Sequence, residues 1–316
     1  MEIGFILLTV LGLTLFEIIT SVDNAVINAE VLSTMGKKAR RFFLLWGILF
    51  AVFIIRGLLP LMIVFASNPS LGIIGALTAT FSGDPNVHAA IEASSPILLV
   101  GGGVFMVFLF FNWLFLEPKS YGLRGEKFFH EQGAWFFAIV SILLSVIVWF
   151  ALGRNPIMAF GAVLGSTAFF IVHGFRNYAE QQEKKLISGG MSDMSKIAYL
   201  EVLDSTFSID GVIGAFAFTL SVPIILLGNG LGAVFLRQLT VSNIERIKKY
   251  KYLKNGAMYS ILFLGTIMIL DSFGYHIPPY VTPIITFGTV GYFFYKSRIE
   301  IRDIERALEP KLTLKS

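Results

Sequence analysis

Two stretches of this chain place acids among apolar residues at the same spacing. Residues 16–25 read FEIITSVDNA and residues 203–212 read LDSTFSIDGV. Aligned on the final acid, Asp23 matches Asp210, Ser21 matches Ser208 and Glu17 matches Asp204. Carboxylates, Ser hydroxyls and the Asn24 amide are hard oxygen donors. That set suits Mg²⁺, Ca²⁺ or Mn²⁺ better than Cu⁺ or structural Zn²⁺. The chain has no Cys, so thiolate ligands and disulfides are excluded. A charge at the centre of a bilayer costs about 2.5–3.5 kcal/mol, so Glu17, Asp23, Asp204 and Asp210 unpaired would cost on the order of 10 kcal/mol. Arg56 and Arg237 are the expected ion-pair partners, and a divalent cation would neutralise two acids at once. The plainer alternative is a set of buried ion pairs with a structural role.

Helical geometry sorts these residues. Glu17, Ser21 and Asn24 fall at i, i+4 and i+7 and share one face. Glu201, Asp204, Ser205 and Ser208 form a matching stripe. Asp23 and Asp210 fall off their stripes and would point elsewhere on a regular helix. Each precedes a poor helix former, Asn24 or Gly211. A break at both places is therefore expected, turning both Asp side chains and freed carbonyls to one central point. The expected metal site is Glu17, Asp23, Asn24, Glu201, Asp204, Ser208 and Asp210, supported by Ser21, Ser205, Arg56 and Arg237.

The elements that must carry these residues follow from composition. Of 316 residues, 55% are hydrophobic and only 15% charged, with 31 Phe and a mean hydropathy of +0.74. Soluble domains carry roughly 25% charged residues. This balance excludes a disordered chain, a nucleic-acid-binding tail and an ordinary soluble enzyme, and it predicts an all-α polytopic membrane protein. Nine spans are expected, at 3–32, 42–66, 97–116, 134–152, 156–174, 197–220, 222–240, 257–273 and 279–296. The first apolar stretch lacks a basic leader and reads as a retained helix. Apart from Arg56 and Arg154, every Lys and Arg falls in the connections 33–41, 117–133, 175–196 and Arg237–Lys254 or in the tail that starts at Lys296. In a nine-helix chain these lie on one side. The positive-inside rule then puts the N-terminus outside and the C-terminus in the cytoplasm of a plasma-membrane protein.

The two acid stretches fall in the first and sixth spans. Five helices apart, they run in opposite directions, which predicts an inverted repeat with a substrate site near the midplane. Residues 1–116 form the first half, 117–196 connect, 197–296 form the second half, and 297–316 are a tail. Asp84, His88 and Glu92, at i, i+4 and i+8 in the external connection, could capture a cation at the mouth, although a solvated helical turn is the plainer reading. Gly101-Gly102-Gly103 reads as a close helix contact, since no Lys-Ser/Thr follows to make a phosphate loop.

Both acid segments resemble the two signature helices of the TerC family of integral membrane proteins, grouped with the LysE-type transporter superfamily. The likeness includes LDSTFSIDGVIGAFA (203–217), HAAIEASSPILLVGGG (88–103) and FLRQLTVSNIER (235–246). The resemblance implies a divalent metal exporter with Mn²⁺ as the favoured ion. By motif position it carries over Glu17, Asp23 and Asn24 from the first signature and Asp204, Ser208 and Asp210 from the second. The second copy has Gly211 where the first has Asn24.

The expectation is a secondary transporter of Mn²⁺, with Ca²⁺ or Mg²⁺ as alternatives, driven by protons or the ion gradient. No nucleotide-binding motif is present. Its partners would be the metal ion and the lipid bilayer, with no nucleic acid, and a homo-oligomer is left open. The rival is an exporter of small organic cations or amino acids. An intramembrane aspartyl protease lacks its usual Gly-x-Gly-Asp context, so no enzyme is expected.

Overall fold

The structure, a computed structural model, describes residues 3–47, 57–58, 62, 65, 72, 85–188 and 192–313. Within these, side chains 23, 27, 44–45, 85–93, 179–188, 206–207, 237, 239–248 and 307–313 lie outside the description. The secondary structure of the described residues is helical, joined by short turns, with no strand among them. In chain order the helices are α1 (Ile3–Thr20), α2 (Val22–Ser33), α3 (Lys37–Phe42) with a π-helical turn over Phe43–Gly47, α4 (Pro85–Leu116) and α5 (Arg124–Glu131). They continue with α6 (Trp135–Leu152), α7 (Pro156–Ser188), α8 (Asp193–Ala215), α9 (Val222–Lys248), α10 (Leu253–Ser272) and α11 (Val281–Thr313).

Local chemistry sets many of these ends. Pro85 and Pro156 open α4 and α7, where a missing N–H costs nothing. The Ser192 hydroxyl accepts from Ser195 N at 3.2 Å and caps α8. Gly274, at φ 84, takes the left-handed turn that ends α10.

Among the described residues, five helices are long and apolar enough to cross a membrane: α1, Ser94–Leu116 of α4, α6, Pro156–Tyr178 of α7, and α10. The chain is a helical membrane protein. Several polar connections expected from sequence are helical instead. The polar stretches beyond 174, 240 and 296 contain good helix formers and simply extend α7, α9 and α11 past their apolar parts. Most of the expected span 42–66 lies outside the described residues.

Helix α4 is the centre of the core. Its Phe105, Phe108, Phe110, Trp113 and Phe115 are all buried; Phe105 and Phe108 meet Phe169 of α7 edge-on, and Phe110 and Trp113 meet Tyr259 of α10 tilted or edge-on. The triple glycine makes this approach possible. A Cβ on Gly101 would stand 2.8 Å from Gly161 O, and one on Gly103 would stand 2.8 Å from Gly265 O. Gly165 packs directly on the Gly101 backbone. Small residues that let backbones touch are the usual means of joining helices where lipid removes the hydrophobic drive.

Gly165→Val should therefore lower the thermal midpoint sharply, by overpacking worth about 1–3 kcal/mol or more. Gly174, on the same helix with nothing within 4 Å of its added Cβ, should accept Ala with a gain of roughly 0.5–1 kcal/mol. Melting both purified variants in detergent checks this; equal midpoints would refute the close-contact account.

Candidate functional site

The two acid-bearing segments pack against each other, antiparallel, along their whole length. Starting at the α1 end, Gly12 lies against Phe218 and Phe16 against Gly214. Further along, a Cβ on Gly211 would stand 2.8 Å from Glu17 Oε2. The Asn24 amide of α2 donates to Asp204 Oδ1. At the far end Lys196 Nζ donates to Thr34 Oγ1 at 2.8 Å, and Gly36 N to Asp193 Oδ2 at 3.1 Å.

The expected breaks differ from what is found. The first segment is interrupted at Ser21, two residues before Asp23. Ser21 has φ −97 and ψ 3, yet Ser21 N still bonds Glu17 O at 3.1 Å and Ala25 N bonds Ser21 O at 3.0 Å. The interruption is one irregular residue, with the hydrogen-bond ladder carried across it. The second segment is not broken at all: α8 runs through Asp210 and Gly211 to Ala215. Ser205 and Ser208 donate to the carbonyls of Glu201 and Asp204, each at 2.6 Å, which ties their hydroxyls to their own helix. Gly211 and Gly214 are spacers for Glu17 and Phe16, not helix breakers.

Because α8 stays regular, its acids face different neighbours. Asp204 faces α2. Glu201 lies against Gly47, and neither of its carboxylate oxygens has a hydrogen-bond partner among the described residues. Asp210 faces α7, where Arg176 Nη1 stands 3.7 Å from its Oδ2. Asp210 Oδ1 has no hydrogen-bond partner among the described residues. Glu17 is fully buried and accepts from Ser21 Oγ at 2.7 Å on Oε1. The expected ligands whose side chains are described are thus not gathered at one point. Glu17, Ser21, Asn24 and Asp204 line the α1–α2/α8 seam, and Asp210 sits beside it in a charged cluster. Among the described residues no group of three His, Asp or Glu is placed to hold a metal ion.

Some expected residues cannot be placed. The Asp23 side chain, Arg56, the Arg237 side chain, Asp84, and the side chains of His88 and Glu92 lie outside the described residues. The backbones of His88 and Glu92 belong to α4.

The sequence reading missed the cations that face Asp210. Arg176 and Lys254 belong to stretches read as connections, but α7 and α10 carry them to the cluster. Lys254 Nζ pairs with Glu117 Oε2 at 2.8 Å, and Asn112 Nδ2 reaches Glu117 Oε1 at 3.4 Å. It also missed Asn229, 1% exposed on α9, whose amide has no hydrogen-bond partner among the described residues. Asn229 is flanked on α9 by Gly228, which packs on Leu13, and Gly232, which packs on the Glu17 stem. An amide between two glycines inside an apolar run was the available signal.

Burial would raise the Glu117 carboxyl, but Lys254 and Arg176 together hold it below its ordinary 4.5. A carboxyl held low binds fewer protons folded than unfolded. Its stabilisation is complete above pH 4.5 and is withdrawn as pH falls through the folded value. Melts of the wild type should lose midpoint on acidification in that window, and Glu117→Gln should flatten the loss. An identical acid limb in the variant would refute this role.

Comparison with curated proteins and with solved structures finds no match. A family model does match, over residues 22–304, which takes in α2, α8 and the charged cluster but begins after Glu17. By that match the chain belongs to the family described as "Protein of unknown function (DUF475)".

Proposed function

We propose that this membrane protein is a secondary transporter that exports a divalent cation, Mn²⁺ ahead of Ca²⁺ and Mg²⁺, through the seam between α1–α2 and α8. One observation carries the reading. On the repeat alignment, Glu17 corresponds to Asp204 and Asn24 to Gly211. The contact of Glu17 with Gly211 then has a counterpart, the contact of Asp204 with Asn24, and both are present. Contacts exchanged in this way are what a two-fold axis through the seam would produce, which supports an inverted repeat and a site on its axis.

The chemistry of the seam supports a cation as cargo. Glu17 and Asp204 supply charge, and Ser21, Asn24 and Ser208 supply neutral oxygens. Such a mixture suits a hard ion of six to eight ligands, with water completing the shell. Asp23 and Asp210 are counterparts on the repeat alignment, and both belong to the proposed ligand set. Carboxylates that hold metal when ionised and protons when empty would exchange one for the other. The TerC resemblance agrees with this cargo. A nine-span plasma-membrane topology with the N-terminus outside agrees with the basic connections.

The second reading is export of a small organic cation or amino acid. What favours it is that the described acids meet in ones and twos, enough for an ammonium group, with Phe16 alongside.

Vesicles loaded with a Mn²⁺-sensitive dye test the proposal. Wild-type protein should give saturable Mn²⁺ flux, and Glu17→Gln, Asp23→Asn or Asp210→Asn at matched expression should cut it at least tenfold. Wild-type flux in any variant would remove that residue from the site. Absent Mn²⁺ flux with saturable lysine flux would establish the second reading.

A further inference from the structure

One acid of the seam is left without compensation. Glu201 is half-buried, but both of its carboxylate oxygens are shut away from solvent, and neither has a hydrogen-bond partner among the described residues. The π-helical turn closes against it at Gly47, where a Cβ would collide with Oε1. A buried carboxylate in that state needs a donor, a proton or a cation.

The register of the seam shows what stands at the same level. Two contacts fix α2 and its C-terminal turn antiparallel on α8: Asn24 with Asp204, and Thr34 with Lys196. Asn28 is one turn on from Asn24, and Glu201 is one turn back from Asp204. Both therefore lie between the two contacts, at one level. Asn28 Oδ1 is also buried with no hydrogen-bond partner among the described residues. So is Asn24 Oδ1, on a side chain only 3% exposed. The Asn24 Nδ2 is already committed to Asp204. That commitment fixes the amide, because turning it over would set oxygen against oxygen. Glu201, Asn28 and Asn24 thus bring four acceptor oxygens to one turn of the seam, none of them hydrogen-bonded among the described residues. Hard oxygen acceptors with a negative charge among them are the ligand set of a hard cation.

We propose that Glu201, Asn28 and Asn24 form a second divalent-cation position, one helical turn from Asp204 toward the basic stretch 37–41. The inference rests on the transport reading and adds a step to it. The topology proposed above puts that stretch in the cytoplasm, so the second position is the one an exported ion reaches first. Asn24 is shared between the two positions: its Nδ2 holds Asp204, and its Oδ1 serves the arriving ion. Ligand charge sets the affinity of such sites, so a position with one carboxylate is weaker than a seam site with several. Weak binding at the entrance lets the ion move on, as passage through successive sites requires.

Mn²⁺ titration by calorimetry of the purified full-length protein tests this, with a melt on each sample to show that it is folded. Wild type should bind two Mn²⁺ per chain, the second at least tenfold more weakly than the first. Glu201→Gln and Asn28→Leu should each lose the weaker event and keep the tighter one. Glu17→Gln, on the far side of Asp204, should lose the tighter event and keep the weaker. If Glu201→Gln does not fold, Asn28→Leu decides. A single event in the wild type, or survival of the weaker event in either folded variant, would overturn the second position and leave the transport reading standing. Loss of both events in Glu201→Gln would also overturn it, by placing Glu201 in one common site. A lowered melt in Asn28→Leu with both events intact would make Asn28 a structural residue and overturn its role. Absence of Mn²⁺ binding by the wild type, with lysine as parallel titrant, would overturn both readings.

Discussion

The constraint on which the rest depends is the presence of ionised groups inside an apolar helical bundle. Each buried carboxylate must find a donor, a cation or a proton, since a charge left alone inside costs several kcal/mol even after relaxation. The solutions found here are specific. Glu17 takes the Ser21 hydroxyl, Asp204 takes the Asn24 amide, Asp210 takes Arg176, and Glu117 takes Lys254. The first pairing stays within α1–α2, where Glu17 lies against Gly211 of α8, and the second joins α2 to α8. The others draw α7 and α10 to the same region. Helix order around the centre of the protein follows from which acid each helix can satisfy.

Glycine provides the second half of the arrangement. Gly211 and Gly232 let α8 and α9 approach the Glu17 side chain, and Gly101, Gly103, Gly161, Gly165 and Gly265 bring α4, α7 and α10 into backbone contact. In lipid such close approach replaces the hydrophobic drive. The same residue type thus builds the core and leaves room for the polar groups within it.

Much of this is legible in the sequence, for physical reasons that also mark its limits. The apolar runs over 97–116 and 134–152 end almost where the membrane-crossing parts of α4 and α6 end, because no charge intervenes. The acid stripes correctly place Ser21 beside Glu17, and the reading that a regular helix would point Asp210 elsewhere is what α8 does. The expected break at Asp210 fails because Gly211 is needed for packing, which helix propensity does not register. Arg176 was not recoverable: periodicity tells which residues share a face, not which helix that face will meet. Its stretch read as a connection because polar helix and polar loop share a composition. At the end of α10 the Asp271 carboxylate accepts from Ile277 N at 2.9 Å and shapes the turn into α11.

The central claim is that the α1–α2/α8 seam binds a hard divalent cation. Electron paramagnetic resonance of Mn²⁺ titrated into the purified protein tests it most directly, because bound and free Mn²⁺ give distinct signals. Saturable loss of the free-ion signal is predicted, competed by Ca²⁺ or Mg²⁺ but not by lysine, and lost in an Asp204→Asn, Glu17→Gln double variant that melts like wild type. An unchanged free-ion signal in the wild type, or full binding in a folded double variant, would contradict the account.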